Sequence, residues 1–331
     1  MRAPFEAVLL VAFGGPQGPA DVRPFLANVL HGRRVSPERI DEVAHHYELF
    51  GGVSPLTALT MQQARALEAR LAARGLPLPV HVGMRNWHPF LADTLTDMAG
   101  RGITRAIGVL AAAQRSYSGC TQYKENVRDA REALSGTGVQ APEVTYVGDW
   151  HEHPGFIAAN ADHVRTAYEK LPDDLRASAR LIFTAHSIPT PMAERYPYEA
   201  QLHASARLIA AAAGRGDWSL VYQSRSGRPG DPWLEPDICD YLRREHAAGL
   251  TAAVLCPVGF LCDHVEVLYD LDVEAADVCR RLGLAMRRAE AVNVHPAFID
   301  ALADAVMNTW RRYQPGRPLT LVAGHGSHGS G

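Results

Sequence analysis

Eight short apolar runs, four in each half of the chain, alternate with amphipathic stretches of helix length, and this alternation narrows the possible folds more than any other feature. The runs cover residues 7–13, 80–84, 106–111 and 144–147 in the first half, and 180–185, 219–222, 252–256 and 289–292 in the second. They are of strand length, whereas apolar positions spaced by three and four over 59–74 and 296–312 follow the period of a helix. Strands joined through helices run parallel, because the chain must cross over before pairing again in the same direction. The sequence therefore predicts an α/β protein of two similar doubly wound, Rossmann-like domains, each with a parallel four-stranded sheet, and a ligand cleft between them. Its 331 residues suffice for two such domains. Residues 1–150 are expected to form the first and 151–320 the second, the boundary falling in Asp149-Trp150-His151-Glu152-His153-Pro154. Residues 321–331, rich in Gly, His and Ser, read as a flexible, solvated tail rather than a metal site.

Basic and acidic side chains nearly balance, 33 against 36, and the formal charge of −3 gives nucleic acid no electrostatic hold. Residues 7–13 are too short to cross a bilayer and only one Arg precedes them, so neither a secretory leader nor a membrane span is expected. Cys120, Cys239, Cys256, Cys262 and Cys279 contain no C-x-x-C pair and fit a reducing, cytoplasmic setting. Gly14-Gly15-Pro16 invites a phosphate-binding reading, but it opens neither G-x-G-x-x-G nor G-x-x-x-x-G-K-[ST], and no nucleotide cofactor is expected.

Ligands of open α/β sheets bind beyond the carboxyl ends of the strands. Unusual segments follow the runs there: Arg85-Asn86-Trp87-His88, Gln114-Arg115-Ser116-Tyr117-Ser118, His186-Ser187-Ile188-Pro189, Gln223-Ser224-Arg225-Ser226-Gly227 and Pro257-Val258-Gly259-Phe260. A strand-end histidine such as His186 can simply bond a neighbour. Its position over the expected cleft also suits metal binding or proton transfer near neutral pH. On a helix, Glu266, Asp270 and Glu274 share one face over about 12 Å. A solvated acidic face accounts for that spacing, and so does a row of oxygen ligands or proton acceptors. Oxygen and imidazole donors together suit a divalent first-row ion such as Fe²⁺. Such a helix can accommodate a π-type widening, which often marks a site.

Asp263 and His264 read as supporting polar residues that point away from Glu266 on the same helix, and Cys256 and Cys262 as buried thiols. Ser54 or Thr57 caps a helix beginning near Leu56, or the Ser54 hydroxyl and nearby amides hold a ligand carboxylate. Arg33 and Arg34 are solvated or pair with carboxylates, and Tyr117 and Tyr123 offer flat faces to a large aromatic ligand.

Five motifs in order carry a resemblance: Leu-Leu-Val-Ala-Phe-Gly-Gly-Pro (9–16), Tyr-Glu-Leu-Phe-Gly-Gly-Val-Ser-Pro-Leu (47–56), Thr-Ala-His-Ser-Ile-Pro (184–189), Tyr-Gln-Ser-Arg-Ser-Gly (222–227) and Pro-Val-Gly-Phe-Leu-Cys-Asp-His-Val-Glu-Val-Leu-Tyr-Asp-Leu-Asp (257–272). Over about residues 7–310 the sequence resembles the ferrochelatases, lyases of haem biosynthesis with a chelatase-like fold. Its wording is most similar to actinobacterial-type members, which act on coproporphyrin III. The resemblance implies insertion of Fe²⁺ into coproporphyrin III to give Fe-coproporphyrin III (coprohaem). It implies that His186 and Glu266 face each other across the porphyrin cleft as catalytic and metal-handling residues, with Asp270 and Glu274 as an outer acidic row. It further implies porphyrin contacts from Ser54 and Tyr123, with Tyr47 and Arg33 nearby.

Phe13 stands where some coproporphyrin-branch members carry an iron-ligating tyrosine, so packing on the macrocycle without axial ligation is expected. The chain has no Cys after Cys279 to hold the C-terminal [2Fe–2S] cluster of some relatives, and no cluster is expected. Expected partners are coproporphyrin III and, transiently, neighbouring haem-pathway enzymes. Protoporphyrin IX as substrate, a non-catalytic tetrapyrrole or metal carrier, and a cobalt chelatase are the competing readings.

Overall fold

The protein, described over residues 3–32, 35–226 and 230–314 of a computed structural model, forms two sheets of four parallel strands. The first contains β1 (Ala7–Ala12), β2 (Val80–Met84), β3 (Arg105–Leu110) and β4 (Glu143–Tyr146) in the order β2-β1-β3-β4. The second contains β5 (Arg180–His186), β6 (Trp218–Gln223), β7 (Ala252–Cys256) and β8 (Ala285–Arg288) in the corresponding order β6-β5-β7-β8. Central strands covered on both faces need apolar residues at every position. Accordingly β1 and β7 are buried throughout, whereas the edge strands β4 and β8 are partly exposed.

Helices α1 (Val22–Val29), α2 (Pro37–Glu48) and α3 (Pro55–Ala73) lie between β1 and β2, and α4 (Leu91–Gly100) precedes β3. A π turn, Tyr117–Thr121, leads into α5 (Gln122–Gly136). After β4, α6 (Pro154–Glu169) and α7 (Asp173–Arg176) carry the chain to the second sheet. There α8 (Thr190–Ala193) and α9 (Tyr198–Ala212) follow β5, and α10 (Ile238–Ala247) follows β6. A continuous helix precedes β8, made of α11 (Val265–Val267), π-helical Leu268–Ala275 and α12 (Ala276–Leu282). The last helix is α13 (Pro296–Arg312).

Four of the long helices start the same way, with a capping side chain followed by proline at the first helical position, where no N–H is needed. Ser36 and Ser54 cap α2 and α3 through their hydroxyls, and His153 and His295 cap α6 and α13 through Nδ1. The two sheets share one core. Phe156 of α6 and Phe298 of α13 pack in it with Leu67 and Leu71 of α3 and with Val8 and Phe183 from the sheets. Helix α13 thus returns from the second sheet to lie on α3 and α6. Gly155 permits that crossing, since a Cβ there would stand 2.2 Å from the Ala297 carbonyl oxygen.

Seven of the eight apolar runs are strands to within one residue at each end. The eighth is not: residues 289–292 lie beyond β8, with Ala291 and Val292 fully buried as loop. Its apolar content reports burial, while the true edge strand, Ala-Met-Arg-Arg, ends in two arginines, Arg287 exposed and Arg288 largely buried, and carries no strand signature. The expected tail, Arg33, Arg34 and Gly227 lie outside the described residues.

Three histidines away from the strand-end segments contribute to an acid limit on stability. Burial holds His81, His151 and His163 below the usual imidazole range, against the pull of nearby Asp97 and Glu68, of Glu152 and Asp149, and of Glu290 and Asp162 respectively. Each also buries a ring nitrogen with no partner among the described residues, so protonation would strand a charged N–H. Their folded pKa lies below the unfolded value of about 6.5, so their contribution is complete above that pH and is lost as pH falls below it. Asp270, raised in the fold, works in the opposite sense between about 4 and 7. The test is therefore differential. Replacing all three histidines by glutamine is expected to flatten the fall in thermal midpoint between pH 7.5 and 5.5, and an unchanged slope would contradict this account.

Candidate active site

The carboxyl ends of the central second-sheet strands bring the sequence-predicted pair together. His186 ends β5, and the turn after β7 leads through Pro257–Phe260 into the helix that begins at Val265. Gly259 lets this turn lie directly on the His186 strand: a Cβ there would be 2.8 Å from Ala185 Cα. His186 Nε2 lies 3.8 Å from Glu266 Oε2, and both side chains remain open to solvent. His186 Nδ1 is 2.5 Å from the Ser187 carbonyl oxygen. A carbonyl only accepts, so Nδ1 carries the hydrogen, and Nε2 is the ring nitrogen turned toward Glu266.

This geometry corrects one expectation. His186 and Glu266 do not face each other across a cleft; they stand side by side at the carboxyl end of the second sheet, one on β5 and one on the helix after β7, too close for a macrocycle between them. A flat ligand can only lie against the pair from one side.

The acidic row takes shape on the π segment. Asp270 accepts hydrogen bonds from Gln223 Nε2 at 3.2 Å and from Ser224 Oγ. Burial pushes its carboxyl up to about 7; the charges of Glu266 and Glu274 add to the rise, against the hydrogen bonds. Glu274 is raised by burial and by Asp237 and Glu42. His264 is not on the helix but precedes it as the N-cap residue. Burial lowers its pKa, and it lies within electrostatic reach of both Glu266 and His186. Asp263 turns away to bond Arg288, Asn293 and the Ala291 amide. Cys256 and Cys262 are buried free thiols raised by burial.

Residues of the first half close around the same point. Val265 packs with Phe25, Tyr47 and Trp87, and Phe13 lies against this cluster with its ring 6.2 Å from Phe25. Tyr47 on α2 and Tyr123 in the first turn of α5 are buried, and both feel the Glu266 charge. His46 of α2 stacks on Tyr269 of the π segment, centroids 3.6 Å apart. Ser54, also buried, caps α3 by accepting from the Leu56 amide at 3.4 Å. The neighbouring Thr57 ties that helix to Gly15, two residues beyond Phe13. Tyr117 bonds Glu125 instead. Among the described residues, no three His, Cys, Asp or Glu side chains form a group that could hold a metal ion.

Sequence reading did not single out the residues that brace this site. Gln63 of α3 reaches from the first half to the Asn293 and Leu261 carbonyls, at 2.7 and 3.2 Å. Its only sequence signal is a polar residue on the apolar face of a helix. Gln223 and Ser224 were visible as an unusual strand exit and within the motif at 222–227, with no role attached to either.

Comparison with known proteins identifies the family. The ferrochelatase family model matches residues 5–310. A ferrochelatase of Rhodopirellula baltica is 48% identical over 92% of this chain and 86% of its own length. A coproporphyrin III ferrochelatase of Mycolicibacterium vanbaalenii is 44% identical over 98% of this chain and 96% of its own. One of Streptomyces coelicolor is 45% identical over 92% and 85% respectively. Among solved structures, SirB from Bacillus subtilis with Fe³⁺ superposes with a TM-score of 0.53 at 11% identity, covering 93% of this chain and 98% of that one. That likeness concerns the fold alone. With two parallel sheets of matching order and a family match spanning nearly its whole length, this chain belongs to the ferrochelatase family.

Proposed function

We propose that this chain is a lyase that inserts Fe²⁺ into coproporphyrin III, giving Fe-coproporphyrin III in haem biosynthesis. Family membership and relatives named coproporphyrin III ferrochelatases, 42–47% identical, support the reaction and the substrate. The observation that carries the mechanism is the 3.8 Å pairing of His186 Nε2 with Glu266 Oε2. That gap is too long for a hydrogen bond, yet an ion bonded at about 2.1 Å to each donor spans it. Iron enters as substrate; the reading includes no iron–sulfur cluster and no nucleotide.

A free porphyrin holds two pyrrole N–H protons, and both must leave as Fe²⁺ takes the four nitrogens. In this reading His186 and Glu266 act on one face of the ring as metal-handling groups and proton acceptors. Asp270, which exchanges protons near neutral pH, and Glu274 continue the row outward to solvent. Bending the ring toward the pair exposes its lone pairs, so binding energy is spent on a transition-state-like shape. Residues 1–150 would supply the opposite wall, with Phe13, Tyr47 and Tyr123 against the macrocycle and Ser54 toward its carboxylates; Arg33, outside the described residues, is proposed as a further porphyrin contact on the family resemblance. Residues 151–320 would supply the metal-handling side. No helix among the described residues is long and apolar enough to cross a membrane, and we place the reaction in the cytoplasm.

Four propionates need polar partners that vinyl groups do not. Side-by-side kinetics are therefore expected to favour coproporphyrin III over protoporphyrin IX by at least about 10-fold in kcat/KM. Equal or reversed values would make protoporphyrin IX the substrate.

A further inference from the structure

Parallel pairing of β5 with β6 sets Gln223 directly beside His186, and the Ser187 amide donates to the Gln223 carbonyl at 2.8 Å. The Gln223 side chain is 1% exposed and points the other way, into the π segment. Its Nε2 lies 3.5 Å from the Glu266 carbonyl oxygen and 3.2 Å from Asp270 Oδ2. Both are acceptors, so the amide must present its nitrogen there. Ser224 supports the same contact. It holds a left-handed backbone, φ 60°, that aims Oγ at the same Asp270 oxygen.

We propose that Gln223, with Ser224, is a positioning residue: it ties β6, paired with the His186 strand, to the π-helical segment and so fixes the separation of His186 from Glu266. The proposal rests on the ferrochelatase reading of this site. Two features set Gln223 apart from an ordinary core amide. It is the only side chain to approach the Glu266 backbone as a donor among the described residues, and it makes that contact from the strand position paired with His186. Its Oε1 is buried with no partner among the described residues. An unsatisfied buried acceptor disfavours the fold, so this amide serves stability poorly and position well.

That asymmetry supplies the test. Gln223→Met keeps the length and volume of the side chain, removes the donor and also removes the orphaned acceptor. A misplacement of about 1 Å can cost 10²-fold in rate. Gln223→Met is therefore expected to lower kcat for Fe²⁺ insertion into coproporphyrin III about 10- to 100-fold, with KM for the porphyrin within twofold and the thermal midpoint not lowered. Ser224→Gly, which suits φ 60° and removes only Oγ, is expected to lower kcat less, by about 3- to 10-fold on the same reasoning. If the methionine variant does not fold, the glycine variant decides. A normal kcat in the folded variants, or a loss confined to KM and thermal midpoint, would overturn the positioning role and leave the proposed reaction intact. Absence of metallation by the wild-type protein would instead overturn the reaction itself.

Discussion

Fe²⁺ insertion by a His186→Ala variant is expected to fall by about 10² to 10⁴-fold, the range over which a positioned proton-transfer group contributes to rate, while porphyrin affinity stays within about twofold. The split follows from the geometry. His186 is held by its own neighbours, through Nδ1 on the Ser187 carbonyl and through the Tyr198 hydroxyl on its backbone carbonyl at 3.1 Å. Removing the ring therefore leaves the apolar wall of Phe25, Tyr47 and Trp87 undisturbed. What is lost is the Nε2 lone pair, the sole side-chain nitrogen paired with the Glu266 carboxylate among the described residues. Glu266→Gln preserves the side chain's shape but not its charge or basicity, and a loss of the same order is expected. Stopped mixing of variant, coproporphyrin III and Fe²⁺ without oxygen reads the rate, and quenching of porphyrin fluorescence reads binding. Turnover within threefold of wild type in either variant would remove that residue from the chemistry.

The largest expected effect on stability lies just outside this pair. Asp263 and Arg288 are buried together, with side chains 14% and 12% exposed, and their 2.7 Å ion pair is one strand of a wider net. Asp263 also accepts from the Ala291 amide at 3.2 Å and from Asn293 Nδ2 at 2.7 Å, while its own amide donates to Asn293 Oδ1. Arg288 in turn holds Asp272 on the π segment at 2.8 Å. Breaking a buried pair from one side leaves an uncompensated charge, at a cost of about 3–5 kcal/mol. Asp263→Ala is expected to lose that much in urea unfolding, because the retained Asp272 contact offsets only part of the loss and two N–H donors lose their acceptor as well. Replacing Asp263 by Leu together with Arg288 by Met removes both charges, and a substantial part of the loss is expected to return. An Asp263→Ala cost below about 1 kcal/mol would mean that the net contributes little.

Most of the scaffold was legible because its signals are local. β1 reads Ala-Val-Leu-Leu-Val-Ala, and only a strand covered on both faces can bury all six residues. Ser-Pro and His-Pro pairs announce the helix starts at 37, 55, 154 and 296. The acidic spacing 266-270-274 falls on a helix, and its middle is the π segment that such a row accommodates. What escaped was non-local. The apolar face of α13 shows that it is buried, not that it returns to α3. Residues 289–292 look like a strand because a buried loop and a buried strand share a composition. His186 and Glu266 were expected on opposite sides of a cleft on the family resemblance alone; 80 residues separate them, and only the adjacency of β5 and β7 places them together. Gln223 carries no periodicity that marks it, since its partners come from another element.

Anaerobic spectrophotometry of the purified chain with coproporphyrin III and Fe²⁺ tests the central claim most directly. The account predicts catalytic conversion of the free-base absorption bands to those of Fe-coproporphyrin III, with many turnovers per protein and with loss of the activity in His186→Ala. Tight binding of coproporphyrin III with no conversion beyond the spontaneous rate would contradict it, and would identify a carrier rather than an enzyme.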